Sequence, residues 1–284
     1  MRRVRLFSVV GVVMTLALLV GGWMSADLEL LMQPSPSPWL YTALGDSIAS
    51  GEGASAGYVP RYQRALESQL GAPVEVTNLA CGGCKTGDLL SQLKGDLRFR
   101  EAVAQSQIVT WDIGGNDLLA ARGAFLQGAC GGPNGEACLR AAVQDFETNW
   151  DAILAEIVSL TSGRPVLVVT MDIYDPFVRD GAPGDLAVFL PYLNRVNGHI
   201  AATTAANGVL TAPVHEAFNG PGRREDPSLK GFIGSDPIHP TDAGHQRIAD
   251  LLVEVGRGAL EQLRSQPLPT EVGTDPPSPH LGRS

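Results

Sequence analysis

Five short apolar runs, each closing on small or polar residues and separated from the next by a segment of helical periodicity, constrain this chain more than any other feature. They are 39–47 (WLYTALGDS), 73–80 (PVEVTNLA), 106–117 (SQIVTWDIGGND), 164–176 (RPVLVVTMDIYDP) and 208–214 (GVLTAPV). Runs this apolar suit strands buried on both faces rather than on one. Helical spacing is read over 59–71, from 86 onward with Thr86 as N-cap, over 138–163, over 185–208 with Pro191 tolerated near the first turns, and over 241–263 opened by Thr241. Strands alternating with helices predict an α/β fold, a three-layer α/β/α sandwich around a roughly five-stranded parallel sheet. In such sheets ligands bind beyond the carboxyl ends of the strands.

The ends of the 284-residue chain read differently from its middle. Residues 1–26 carry Arg2, Arg3 and Arg5 ahead of an uncharged apolar run, 6–24, the pattern of an export signal or of an N-terminal membrane anchor. A Pro/Ser linker over 27–38 follows, and residues 266–284 form a Pro-rich tail unsuited to a core. The folded domain is therefore expected over 39–265, outside the cytoplasm, either secreted or tethered through 6–24. The formal net charge is −9 and no Lys/Arg run occurs, which argues against nucleic acid as a partner. No internal repeat is visible.

Four cysteines, Cys81, Cys84, Cys130 and Cys138, fit an oxidising compartment. The spacing Cys81-Gly-Gly-Cys84 is open to a redox pair, half a zinc site or a tight disulfide. The second pair does not complete a zinc ribbon. Two local disulfides, Cys81–Cys84 and Cys130–Cys138, are the expectation, the latter closing a Gly-rich loop.

The residues with chemical potential gather at the predicted strand ends. The first strand ends Gly45-Asp46-Ser47, the second runs into Asn78-Leu79-Ala80-Cys81-Gly82-Gly83, the third into Gly114-Gly115-Asn116-Asp117, and the loop before the last helix reads Asp236-Pro237-Ile238-His239-Pro240. Nucleophilic acyl transfer needs these residue types. A serine hydroxyl attacks a carbonyl only when a histidine takes its proton, a carboxylate must hold the histidine in the right tautomer, and N–H donors must meet the developing oxyanion. Taken singly, each motif is equally well a helix cap, a turn or a rigid loop.

Together and in this order they resemble the SGNH hydrolases, also called the GDSL lipase/esterase family, over about 39–263. The resemblance implies a flavodoxin-like sheet, Ser47 as nucleophile, and Asp236 and His239 as acid and base partners. It implies an oxyanion hole from the N–H groups of Ser47 and Gly83 and the side-chain amide of Asn116, with Gly82 the alternative to Gly83. The chain departs from the family pattern in having Ile48 where the family name has leucine, and in bracketing the glycine loop with cysteines. The implied activity is carboxylic ester hydrolysis on lipid or short-chain acyl esters. A deacetylase of polysaccharide using the same site is the alternative, and a non-catalytic binding module on this fold a third reading. No cofactor is implied, the expected partner is a small-molecule, lipid or polysaccharide ester, and the expected state is a monomer.

The other histidines carry less. His199 falls in a helix as a surface or packing residue, His215 in a loop after the fifth strand, and His245 one turn into the last helix. A metal triad of Asp236, His239 and His245 matches no established ligand spacing. The long segments 174–184 and 212–235 either shape a substrate site or simply cover the sheet edge.

Overall fold

The computed structural model describes residues 37–178 and 185–265. The predicted N-terminal signal or anchor, most of the linker, the Pro-rich tail and residues 179–184 lie outside them. Among the described residues no helix is long and apolar enough to cross a membrane.

The chain runs β1 (Trp39–Gly45), α1 (Ser47–Ser50), α2 (Tyr58–Leu70), β2 (Val74–Asn78), α3 (Thr86–Gly95), α4 (Leu97–Gln105), β3 (Ile108–Asp112), α5 (Gly115–Leu126), α6 (Ala137–Thr161), β4 (Leu167–Met171), α7 (Asp185–Ala206), β5 (Leu210–Ala212), α8 (Val214–Asn219) and α9 (Asp242–Arg264). All five strands are parallel, in the order β2-β1-β3-β4-β5. The order turns at β1, since the chain leaves it on one side to form β2 and returns on the other to form β3. Connections from β1 and β3 thus diverge, and a crevice opens beyond their carboxyl ends. Register places Gly45 opposite Asp112 at that edge.

Side-chain alternation on the strands divides the core into two apolar layers. Tyr41, Ala43, Ile108 and Val169 pack with Tyr62 of α2 and with Ile248 and Leu252 of α9. Leu44, Val109 and Trp111 face the other way, against Phe146 and Trp150 of α6 and Val196 of α7. Trp111 and Trp150 are fully buried with ring centroids 5.6 Å apart. Burial of a large apolar side chain is worth about 1.5–3 kcal/mol, so these layers hold the strand ends in fixed register.

Several local expectations change. Thr86 is not the cap of α3: Lys85 occupies that position, its N–H bonded to Asp88 Oδ2 at 2.9 Å. The Thr86 hydroxyl instead donates to Asp117 Oδ1 at 2.6 Å, tying α3 to α5. Gly114 to Asp117 is not a free-standing turn but the start of α5, with Gly114 as its cap. The segment 212–235 is not a plain loop either. It contains α8 and a single 3₁₀ turn at Pro227–Lys230, and His215 lies buried in α8. Thr241 does cap α9, accepting from the Gly244 N–H at 3.3 Å. Both local disulfides are present, Cys81–Cys84 and Cys130–Cys138.

Candidate active site

Ser47 leaves the end of β1 as the first residue of α1. Asp46 caps that turn, its Oδ1 accepting the Ile48 N–H at 3.0 Å. A first-turn N–H has no partner within its own helix, and the Ser47 N–H makes no backbone hydrogen bond among the described residues.

His239 comes from the loop before α9. That loop is pinned on both sides. Tyr174, after β4, donates its hydroxyl to the Ile238 carbonyl at 2.7 Å, and the Thr241 N–H donates to the Phe232 carbonyl at 2.8 Å. Gly53 makes room for the imidazole: with φ at +87° and an added Cβ only 2.6 Å from His239 Cβ, a larger residue fits neither the backbone nor the space. His239 Nε2 lies 2.9 Å from Ser47 Oγ and Nδ1 lies 2.7 Å from Asp236 Oδ2.

The chemistry of the partners fixes the proton positions. Burial pushes the Asp236 carboxyl up, but hydrogen bonds from the His239 ring and from the N–H groups of Ile238 and His239 outweigh it and hold the group below the ordinary carboxylate range. An ionised carboxylate only accepts, so Nδ1–H donates to Asp236 and Nε2 is left to accept from the Ser47 hydroxyl.

The glycine loop follows β2. The Cys84 N–H donates to the Cys81 carbonyl at 3.2 Å, closing a turn with Gly82 and Gly83 at its centre, and the disulfide spans the same turn. Gly83 is exposed and its N–H makes no backbone hydrogen bond among the described residues. Asn116, in the first turn of α5, donates its side-chain amide to the Cys84 carbonyl at 3.0 Å and approaches Asp46 Oδ2 at 3.4 Å. One of its two N–H groups is thus well held while the other has only a long contact.

Glu52 was not singled out by the motifs, yet its Oε2 lies 3.5 Å from His239 Nε2. The remaining histidines have other partners. His245 accepts the Tyr58 N–H at Nδ1 and donates from Nε2 to the Glu52 carbonyl, at 3.1 and 3.0 Å, so both ring nitrogens are committed to backbone. His199 pairs with Asp151 at 2.7 Å. His215 contacts the Asn197 amide at 3.0 Å, and burial pushes its pKa down to about 4.

Beside Ser47 and Asn116 opens a cavity of about 130 Å³. Its apolar wall includes Leu118 and Leu119 of α5, Leu139 of α6, Phe189 and Leu193 of α7, and Phe177. Arg122, also in the wall, stacks its guanidinium 4.0 Å above the Phe177 ring. About 10–15 Å³ of such space admits one water, so this cavity has room for a group of several heavy atoms.

Residues 43–247 match the model of the GDSL-like Lipase/Acylhydrolase family. The chain is similar to the spore germination lipase LipC of Bacillus licheniformis, 26% identical over 226 residues that span 78% of this chain and 98% of that protein. It is similar to the lipase Lip_vut3 from a goat rumen metagenome at TM-score 0.66 and 25% identity, covering 78% of this chain and 99% of the other. The fold is also that of the acetylxylan esterase Axe2 of Geobacillus stearothermophilus, at TM-score 0.56 and 18% identity, covering 77% and 94% of the two chains.

Proposed function

The chain belongs to the GDSL-like Lipase/Acylhydrolase family and is a carboxylic ester hydrolase, and from that premise we propose that it cleaves acyl esters with Ser47 as nucleophile. The observation that carries this reading is the unbroken line from Ser47 Oγ through His239 to Asp236, at 2.9 and 2.7 Å, at the mouth of an apolar cavity.

Ser47 Oγ attacks the ester carbonyl while His239 Nε2 takes its proton. Asp236 holds the ring and stabilises the imidazolium that forms. The oxyanion is met by the N–H groups of Ser47 and Gly83 and by the Asn116 amide hydrogen whose resting contact is long. His239 returns its proton to the departing alcohol, and a water then repeats the sequence on the acyl-enzyme to release the acid.

The apolar wall favours an acyl chain as the group bound beside Ser47, and so favours lipid or acyl esters over acetylated sugar. Each methylene buried there is worth about 0.8 kcal/mol. Export follows from the arginine-led apolar segment at residues 1–26 together with two disulfides, which persist in oxidising compartments. The protein acts outside the cytoplasm, released or tethered through 6–24.

A panel of nitrophenyl esters of graded length, run beside acetylated xylan and phospholipid with wild type and Ser47→Ala, tests the reading. Hydrolysis lost in Ser47→Ala, with preference rising beyond acetate, is the expected result. A preference for acetylated xylan would replace the acyl-chain reading with the deacetylase one.

A further inference from the structure

Two carboxyl groups lie beneath the nucleophile and have no part in the reaction just described. Asp46 and Asp112 are 4% and 5% exposed. They end adjacent strands: Asp112 pairs across the sheet with Gly45, and an added Cβ on Gly45 would stand 2.6 Å from Asp112 Oδ1. Tyr58 of α2 donates its hydroxyl to that same Oδ1 at 2.8 Å. Asp112 Oδ2 meets no N–H or O–H donor among the described residues. Besides Tyr58, the groups that meet the Asp112 carboxyl both come from Asp46, its backbone N–H and its own carboxyl. Asp46 in turn accepts from the Ile48 N–H and lies 3.4 Å from the Asn116 amide. Neither carboxyl forms an ion pair with Lys or Arg among the described residues.

Two carboxylates cannot hydrogen-bond to each other without a proton between them, and two like charges this deep cannot both persist. We propose that Asp46 and Asp112 share one proton, Asp112 being the neutral acid that donates to an ionised Asp46, and that the pair positions the Ser47 turn and the Asn116 amide. The proposal rests on the roles given above to Ser47 and Asn116.

The arrangement gives each oxygen a use. A protonated Asp112 supplies the O–H that its unpartnered oxygen otherwise lacks, as neutral carboxylic acids do in apolar sites. The ionised Asp46 then accepts from three directions, Asp112 below, Ile48 along the turn and Asn116 at the side. Burial, and after it the neighbouring Asp46, pushes the Asp112 carboxyl far up, whereas burial raises Asp46 against the opposing pull of Ile48, Asp112 and His239. The other groups facing the pair are Tyr58 from α2, Tyr41 from β1, Tyr174 after β4, Asp117 from α5 and His239. Burial holds the phenols of Tyr41, Tyr58 and Tyr174 well above their ordinary range, so they stay neutral. Burial raises Asp117 as well, against bonds from Thr86. As pH rises the shared proton leaves, two anions repel beneath Ser47, and turnover falls on the alkaline side.

Asp112→Asn keeps an N–H donor in the place of the O–H but cannot ionise, whereas Asp112→Leu offers no donor. Turnover in Asp112→Leu, and in Asp46→Asn, is expected to fall about tenfold or more, since each leaves a buried polar group of the pair without its partner, with KM moving far less. Asp112→Asn is expected to rescue most of that loss and to abolish the alkaline decline. Infrared difference spectra of wild type against Asp112→Asn at neutral pH are expected to show a protonated carboxyl band, present also in Ser47→Ala. Absence of that band, or an Asp112→Asn variant that keeps the alkaline decline, overturns the proposal. Should Asp112→Leu not fold, the band and the Asp112→Asn profile decide. Equal ester hydrolysis by wild type and Ser47→Ala would defeat the hydrolase roles instead, and the infrared band would still decide the shared proton.

Discussion

Asn116 gives one amide hydrogen to the backbone carbonyl of Cys84 at 3.0 Å, so a single side chain joins the disulfide-closed turn after β2 to the start of α5. This bond ties the glycine turn to the amide that flanks it, alongside the Thr86–Asp117 bond between the same two segments, and the covalent link at Cys81–Cys84 fixes where it is anchored.

Opening this link should be felt in turnover before it is felt in stability. Cys81→Ser combined with Cys84→Ser leaves Cys130–Cys138 intact and frees only a four-residue turn, whose closure adds little to the global fold. Turnover is expected to drop about tenfold, part of the 10²–10³ that a lost oxyanion donor costs, with Tm moving by a few degrees. Parallel kinetics and thermal melts check this, and a variant that melts early while turning over normally contradicts it.

Asn116→Ala removes the side-chain donor altogether. Turnover should fall by about 10²–10³, equivalent to about 2.7–4 kcal/mol of barrier, with KM little altered, because the oxyanion bond proposed for this amide would form only as charge develops. Steady-state kinetics on a single nitrophenyl ester suffice, and a rise in KM at constant turnover would assign Asn116 to binding instead.

The pH dependence of stability contains two opposed contributions. Burial lowers His215 to about 4, so the unfolded chain binds the extra proton between about pH 4 and 6.5, and stability rises with pH through that window. Burial raises Asp172 to about 6 despite the His215 N–H and Arg223. The folded chain therefore binds the extra proton between about pH 4 and 6, and this contribution falls as pH rises. In wild type the two nearly offset. Asp172→Asn removes the second alone, so its unfolding free energy should climb between pH 4.5 and 6.5 by about 2 kcal/mol more than that of wild type. Denaturant titrations at the two pH values measure the difference, and parallel curves would reject it.

Leu119 stands in the wall of the cavity beside Ser47. Leu119→Trp fills that space, and each methylene kept out of it forfeits about 0.8 kcal/mol, or about fourfold in kcat/KM. The ratio of octanoate to acetate hydrolysis should fall at least tenfold. An unchanged ratio would place the acyl chain elsewhere.

The four loops bearing Ser47, Gly83, Asn116 and the Asp236–His239 pair stood out in the sequence because each follows an apolar run or precedes a helix in a way that puts polar types at one sheet edge. Their residue types carry chemistry that a core does not need, which makes them readable one-dimensionally. The Asp46–Asp112 pair is of another kind. Asp112 reads as the polar end of an ordinary strand, and its meeting with Asp46 depends on Gly45 lying opposite it, a consequence of strand order and register. Helix starts were likewise hidden. The turn-like Gly114-Gly115-Asn116-Asp117 masks the start of α5, while Pro213 masks the six-residue α8, which is held by the burial of Val214, His215, Phe218 and Asn219. Thr86 shows the same limit, since its hydroxyl serves Asp117 on a different helix and not its own first turn.

The reversal of strand order at β1 also divides labour within the molecule. Residues that would make and break bonds come from the ends of β1, β2 and β3 and from the loop ahead of α9, while much of the wall that would choose the acyl group comes from α5, α6, α7 and the stretch after β4. The sheet edge and the helical wall would thus divide rate from selectivity, meeting at α5, which carries both Asn116 and Leu119. A protein laid out this way can be retailored toward longer or shorter substrates by redesigning one side of the crevice while the reactive hydroxyl stays where the sheet puts it.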